Sequence, residues 1–193
     1  MIPVESKFAH YEVFSSDVYV VDYTNSTNSL RKLEFHASEP DDIGSFHLIN
    51  KHKINIYGVN FEKNPAFTKG HKMCECLFTP VTDKKNPWVL LLEMKYCQNS
   101  DNIDEDSSNA LTQLKESYQY LHDIGLLDCK LHKIHLLVSI PDYSNKEPFT
   151  NFRVSQSEIL NNFKNNAIEI HGINRMLVAT PYHLFEQKKN YHD

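Results

Sequence analysis

Residues 90–95 have the sequence LLLEMK, at the end of an apolar run that begins at Trp88. We predict a β-strand over residues 88–96. Side chains of a strand alternate between its two faces, so Glu93 and Lys95 share one face. The apolar residues on the other face are Leu90, Leu92 and Met94. This pattern predicts a core strand with one apolar face and with two charged side chains near its end.

A second strand is predicted over residues 73–79, because the segment that follows it is rich in turn-forming residues. These are Pro80, Asp83, Asn86 and Pro87. An antiparallel hairpin centred on Lys84 pairs apolar residues on one face, namely Phe78 with Leu90, Cys76 with Leu92 and Cys74 with Met94. It places Glu75 opposite Glu93. A shift of one residue would mix the two faces, so the pattern favours this register.

Two carboxylates on directly opposite strand positions have Cβ atoms roughly 4.5–5.5 Å apart. Glu75 and Glu93 would therefore repel each other unless a proton or a cation lies between them. Carboxylate oxygens favour Mg²⁺ or Mn²⁺. Lys95 lies one pleat further along, where its ammonium group can orient a water molecule. Such a site is suited to the hydrolysis of phosphodiesters.

The spacing of an acid and a lysine around one residue is by itself a weak pattern, because this chain contains it five times. The pairs are Glu5/Lys7, Asp83/Lys85, Glu93/Lys95, Asp128/Lys130 and Glu186/Lys188. Only Glu93/Lys95 ends a long apolar strand that follows a strand with an acidic residue. The context therefore singles out this pair.

This arrangement resembles the PD-(D/E)XK nuclease superfamily, which includes many restriction endonucleases. That family carries an acid on the second core strand and Asp/Glu-X-Lys on the third. The resemblance covers residues 54–140. It implies an α/β fold with a restriction-endonuclease-like αβββαβ core, in which helices flank a mixed central sheet. The first acid of the family is usually Asp, so Glu75 is a departure from the pattern.

The resemblance also implies roles for individual residues. The metal ligands would be Glu75, Glu93 and the main-chain carbonyl of Met94, and Lys95 would be the catalytic lysine. Some members use a polar residue on the next helix, for which Gln113 is the candidate. Others carry an acid on the first helix, a place that Glu12 would fill.

The function implied by the resemblance is that of an endonuclease that depends on Mg²⁺ or Mn²⁺ and cleaves nucleic acid, with DNA as the expected substrate. Many such nucleases act as homodimers, although no dimer surface is legible in the sequence. The formal charge of −5 counts against binding by overall charge. Nucleic acid would then need a local basic patch, for which the candidates are Lys69, Lys72, Lys84 and Lys85. The alternative is a non-catalytic module of the same fold that binds a protein or nucleic acid.

The chain of 193 residues predicts one domain over residues 1–193. Its nuclease-like core spans about residues 54–180, preceded by an N-terminal helix and a hairpin within residues 4–36. Apolar residues with helical spacing, Leu111, Leu114, Tyr118 and Leu121, predict a helix that ends near Gly125. The other predicted elements are a helix over 4–14, strands over 18–23, 30–36, 54–59, 134–140 and 175–180, and a helix from Ser155 to about Ala167.

Three other interpretations stay open at this point. The charged residues could form a plain salt-bridge cluster on an exposed sheet face. Cys74 and Cys76, with Cys97 or His71, could bind zinc, although core cysteines are the more common case. His132 and His135 could be ligands or polar residues at the start of a strand. The cysteine spacing and the absence of a leader pattern or a long apolar run predict a cytoplasmic protein without a membrane partner.

Overall fold

The structure is a computed structural model that describes residues 2–25, 33–97, 103–141 and 168–187. These residues contain three α-helices, namely α1 (Val4–Lys7), α2 (Pro65–Thr68) and α3 (Ile103–Asp123). The first strands are β1 (Glu12–Phe14), β2 (Val18–Asp22), β3 (Leu33–His36), β4 (Phe46–Ile49), β5 (Ile56–Asn60) and β6 (Cys76–Pro80). The others are β7 (Trp88–Met94), β8 (Lys133–Ser139), β9 (Ile168–Gly172), β10 (Arg175–Thr180) and β11 (His183–Glu186).

The strands form two mixed sheets. The first sheet has six strands in the order β1-β5-β6-β7-β8-β9, and the second has five in the order β11-β10-β4-β2-β3. In the first sheet β7, β8 and β9 are parallel, whereas β1, β5, β6 and β7 pair antiparallel. In the second sheet only the β10–β4 pair is parallel. The chain is therefore α/β, with long-range parallel pairing at the centre.

Helix α3 covers one face of the first sheet. Its buried residues recur at helical spacing and include Ala110, Leu111, Leu114, Tyr118 and Leu121. Three acidic residues lie in its first turn, where they interact favourably with the positive end of the helix dipole. Gly125 follows the last turn and has a φ of +72°. The apolar face of α3 shares one core cluster with Leu77, Val89, Leu91, Ile134 and Leu136 of the sheet. The odd-numbered residues of β7 therefore point toward α3.

The opposite face of the first sheet packs against the second sheet. Its even-numbered β7 residues join a second core cluster that includes Val20, Phe46, Leu48 and Met176 of the second sheet. The indole N–H of Trp88 donates to the carbonyl of Thr180 at 2.9 Å and so joins the two sheets. In the described residues this face is covered by strands, which corrects the prediction of one central sheet with helices on its faces.

Several predicted elements are confirmed. Strands β2, β3, β5, β7, β8 and β10 and helix α3 lie where the sequence placed them, and β2 pairs with β3 as a hairpin. Strands β4, β9 and β11 were not predicted. The helix expected from Ser155 lies outside the described residues. No helix in the described part of the chain combines the length and apolarity needed to cross a lipid bilayer.

The helix predicted over residues 4–14 is wrong beyond its first turn. α1 ends at Lys7, and Glu12 begins β1, which pairs antiparallel with β5. The hydroxyl of Tyr57 on β5 donates to Glu5 Oε1 at 2.6 Å and holds the short helix against the sheet. Pairing with a sheet edge thus overrides the weak helical pattern.

Gly58 on β5 tests the packing at this edge. A Cβ atom built there would lie 2.6 Å from Cε2 of Phe14 and 2.9 Å from Cε1 of Phe78. We expect Gly58→Ala to lower the free energy of unfolding by about 1–3 kcal/mol, because both rings would have to move. Urea denaturation measures this change. The control Val13→Ala, at a residue 52% exposed on β1, should change it by less than about 0.5 kcal/mol. A fully stable Gly58→Ala variant would contradict this packing.

Candidate functional site

Glu93 is the only charged residue of β7. It is fully buried, at 0% relative exposure. It lies on the odd-numbered face of the strand, which packs against α3. A carboxylate in such a place is costly unless hydrogen-bonded and paired with a positive charge. Its partners therefore decide whether this strand end can form.

The Glu93 carboxylate accepts hydrogen bonds from the segment that follows its own strand and from helix α3. Lys95 Nζ donates to Glu93 Oε1 at 2.6 Å, and Gln113 Nε2 donates to Glu93 Oε2 at 3.0 Å. Gln113 Nε2 also lies 2.8 Å from the carbonyl oxygen of Met73, which it can bond as well. The structure thus brings together three of the residues that the sequence singled out, Glu93, Lys95 and Gln113.

Lys95 connects the buried carboxylate to the surface. Its backbone N–H donates to the Ser139 carbonyl at 2.9 Å, which extends the β7–β8 pairing past the end of β7. Its side chain is 29% exposed, whereas that of Glu93 is not exposed. A short, charge-assisted hydrogen bond of this kind is about twice as strong as a neutral one. The Lys95 side chain is therefore partly open to solvent, whereas the Glu93 side chain is enclosed by protein.

Glu75 lies just before β6 and departs from the predicted register. Cys76 pairs with Leu92 as predicted, but the Glu75 N–H also donates to the Leu92 carbonyl, at 3.0 Å. Two residues thus lie against one residue of β7, as in a β-bulge. The predicted pairing of Glu75 directly opposite Glu93 is absent from the ladder. The bulge therefore includes Glu75, the residue predicted to supply the first carboxylate of the site.

The register change also moves Cys74. This residue belongs to the core cluster on the α3 side, whereas Cys76 and Met94 belong to the cluster on the side of the second sheet. The prediction that Cys74 and Met94 share a face is therefore wrong. The physical reason is the extra residue at the bulge, which alternation in a regular strand does not anticipate.

Glu75 and Glu93 nevertheless lie in one neighbourhood. Glu75 is 2% exposed. Burial raises the pKa of the Cys74 thiol well above its usual value, and the negative charges of Glu93 and Glu75 raise it further. The same causes raise the pKa of Cys76. The Glu75 N–H donates to the carbonyl of Leu92, the residue directly before Glu93, so the backbone brings the two acids into one region.

Helix α3 organises this neighbourhood beyond Gln113. The Cys74 N–H donates to Ser117 Oγ at 2.7 Å, and Ser117 Oγ donates to the Gln113 carbonyl at 2.7 Å. One turn of α3 therefore holds both the segment before β6 and the carboxylate at the end of β7. The geometry can orient a buried acid and a partly exposed ammonium group beside a second buried acid.

The structure separates other candidates from this site. Glu12, proposed as an acid on the first helix, lies in β1, where its carboxylate is 4.0 Å from Lys63 Nζ and 49% exposed. That assignment is wrong, because residue 12 is not helical. Cys74 and Cys76 are buried in different core clusters, which confirms that they are core cysteines. The four basic-patch candidates Lys69, Lys72, Lys84 and Lys85 are all exposed.

One cluster of chemically active side chains was not predicted. His135, Glu169 and His171 bring potential ligand atoms within 4.8 Å of one another. Of these three residues, only His135 was a candidate ligand from the sequence, because no strand was predicted over residues 168–172. The signal that could have revealed the cluster is the alternation in IEIHG, in which two isoleucines alternate with Glu169 and His171.

Comparison of this chain with protein-family models, with curated proteins and with solved structures finds no match.

The coupling between Glu93 and Lys95 can be measured directly. Lys95→Met removes the ammonium group from a fully buried carboxylate, so we expect the free energy of unfolding to fall by about 2–3 kcal/mol. Glu93→Gln in the same chain should recover part of this loss, because a neutral amide needs no cation. Urea denaturation in the presence of a chelator gives the coupling energy, expected at about 1–3 kcal/mol. Additive effects of the two substitutions would show that the pair is not coupled.

Proposed function

We propose that this protein is a metal-dependent nuclease of the PD-(D/E)XK type, with Glu75, Glu93 and Lys95 at its centre. The observation that carries the proposal is the position of Glu93, fully buried at the end of the central strand. The Lys95 ammonium group lies 2.6 Å from one of its oxygens, and the backbone of a second buried acid, Glu75, is hydrogen-bonded to Leu92, the residue before Glu93. A buried acid is kept at a strand end at a cost in free energy, which a functional role would explain.

The order of elements around the site supports a restriction-endonuclease-like core. β5, β6 and β7 form an antiparallel meander, α3 follows, and β8 returns parallel beside β7. This matches the βββαβ part of the αβββαβ core that the resemblance implies. The short α1 precedes it. The second sheet and the strand β1 are additions to that core.

The donor set suits a hard divalent cation. The two carboxylates supply oxygen ligands, and the Met94 carbonyl is the third ligand that the resemblance implies. The Lys95 N–H is directed to Ser139 on β8, so the carbonyl of the same peptide group points to the opposite side of β7. That is the side of β6, which Glu75 precedes. Mg²⁺ or Mn²⁺ held there would polarise a phosphodiester and lower the pKa of a bound water molecule.

The protein groups have distinct tasks in this proposal. Lys95 donates a hydrogen bond to the attacking water or to a non-bridging phosphate oxygen, because its side chain reaches solvent while Glu93 fixes its position. Gln113 is a positioning residue, since it holds the second oxygen of Glu93. The attacking water forms a bond to phosphorus and loses a proton to solvent. The bond from phosphorus to the leaving sugar oxygen breaks, and that oxygen takes up a proton from solvent.

The substrate that we propose is nucleic acid, with DNA favoured by the resemblance. The net charge of −5 requires that binding rest on local lysines rather than on the whole surface. Lys69 and Lys72 lie in the segment just before Met73, whose carbonyl lies within hydrogen-bond distance of Gln113. Two chains acting as a homodimer would cut both strands of a duplex.

A non-catalytic binding module of the same fold is the second candidate. The observation that favours it is that both oxygens of Glu93 already accept hydrogen bonds, from Lys95 and Gln113. Carboxylate oxygens carry further lone pairs, so this does not prevent metal binding. Calorimetric titration with Mn²⁺ separates the two candidates. The enzyme must bind Mn²⁺ and lose this binding in the Glu75→Ala variant, whereas the binding module need not bind Mn²⁺.

The nuclease activity is tested with purified protein, Mg²⁺ or Mn²⁺, and supercoiled, linear double-stranded and single-stranded DNA and RNA. We expect cleavage of at least one substrate. We expect Lys95→Met to reduce it by at least about 100-fold, as loss of a transition-state donor does. We expect Glu93→Gln to reduce it to a similar extent, because this substitution removes a charged metal ligand. The double variant should be more stable than Lys95→Met alone and still inactive, which separates a catalytic role from a structural one.

Lys130→Met is the matched control, because Lys130 belongs to another acid-X-Lys pattern and is exposed. It should cleave like the unmodified chain. Absence of cleavage with every substrate and both metals would refute the catalytic proposal. Cleavage that persists in the double variant would show that Glu93 and Lys95 do not carry the activity.

A further inference from the structure

A polar cluster lies on the face of the first sheet turned away from α3. Ile134, Leu136, Ile168 and Ile170 belong to the core cluster beneath α3. Alternation along β8 and β9 therefore places three other residues on the opposite face. They are His135, Glu169 and His171. The two strands are parallel, and His135 pairs with Glu169 in the register.

The three side chains converge on a single point. His135 Nδ1 lies 3.0 Å from His171 Nε2, and Glu169 Oε2 lies 3.7 Å and 3.8 Å from these two nitrogens. A point in the plane of the three atoms is about 2.1 Å from each of them, which is the usual distance from zinc to nitrogen or oxygen ligands. Glu169 is beyond hydrogen-bond range of both rings. Its position therefore fits shared coordination better than a hydrogen bond.

A fourth residue orients one of the rings. His171 Nδ1 lies 2.9 Å from Oε1 of Glu186, which belongs to β11 at the edge of the second sheet. The carboxylate accepts the proton of Nδ1, so Nε2 carries the lone pair that faces His135. A carboxylate behind a ligating histidine is the usual outer partner in zinc sites.

The two histidines of the cluster are buried, whereas its carboxylate is open to solvent. His135 is 3% exposed and His171 is 7% exposed. The Glu169 side chain is 64% exposed, so an ion has a path from solvent.

We propose that His135, Glu169 and His171 bind a zinc ion, with Glu186 as the outer partner of His171. Two imidazoles and a carboxylate form a donor set that binds zinc in preference to Mg²⁺ or Ca²⁺. Three protein ligands leave a fourth position for water. Because Glu186 lies on β11, the bound ion stabilises the contact between β9 of the first sheet and β11 of the second.

The zinc site is separate from the proposed nuclease centre. Glu93 lies on the α3 face of the first sheet, and the cluster lies on the other face. Along the ladder His135 pairs with Leu90, whereas Glu93 pairs with Val138. The proposal therefore does not depend on nuclease activity, and the two sites can fail independently.

The test is calorimetric titration of the chelator-treated full chain with Zn²⁺, together with metal analysis of the protein as purified. We expect one zinc ion per chain and a melting temperature that rises with zinc concentration. Glu169→Gln removes a ligand from an exposed position, and His171→Gln removes a buried one. Each should weaken binding by more than about 100-fold, and Glu186→Gln by about 10–100-fold, as loss of an outer partner does.

His183→Gln is the matched control, because it removes an exposed histidine from the same edge strand, β11. It should bind zinc like the unmodified chain, as should Glu93→Gln. Absence of zinc binding would overturn the proposal. Binding that survives in both Glu169→Gln and His171→Gln would also overturn it, because the ion would then lie elsewhere, for example on thiols. Iron in place of zinc in the purified protein would refute the choice of metal.

Discussion

Every residue of β7 is buried, because α3 covers one face of this strand and the second sheet covers the other. This constraint governs the rest of the molecule. A strand covered on both faces can carry charge only where an element beside it supplies a matching group. Glu93 satisfies the condition at the end of the strand, where Lys95 and Gln113 both reach its carboxylate.

Helix α3 combines two tasks that are often divided between elements. Its leucines bury the first sheet, and its polar residues Gln113 and Ser117 hold the carboxylate and the segment before β6. Because the same turn of helix makes both kinds of contact, movement of α3 would disturb the core and the site together. A site held by packed helices and strands keeps its geometry better than a site on loops.

The two sheets create a second setting in which polar residues are buried. Trp88 joins the sheets through an indole hydrogen bond to Thr180, and His171 joins them through Glu186 at the edge. In both cases the polar group of one sheet finds its partner on the other. The interface between the sheets is therefore apolar in its centre and polar at the β9–β11 edge.

Local patterns in the sequence were sufficient to predict the elements with strong periodicity. The leucine spacing of α3 and the apolar runs of β7 and β8 predicted these elements, since burial of an apolar stripe or face leaves a regular trace. The acid and the lysine at the end of β7 were predicted for the same reason, and Gln113 was added by the resemblance. The strands β4, β9 and β11 are too short to show a clear alternation of apolar and polar residues. At β1, pairing with β5 overrode the helical pattern of the local sequence.

What only the tertiary structure decided depends on contacts between distant segments. The Leu92 carbonyl accepts the Glu75 N–H and breaks the register that alternation predicts. The second sheet covers β7 because β4, β2 and β10 meet across more than a hundred residues of sequence. His135 and His171 meet because β8 and β9 are parallel neighbours. Local sequence determines which face of an element is apolar, whereas the partner of that face is chosen by the free energy of the whole packed chain.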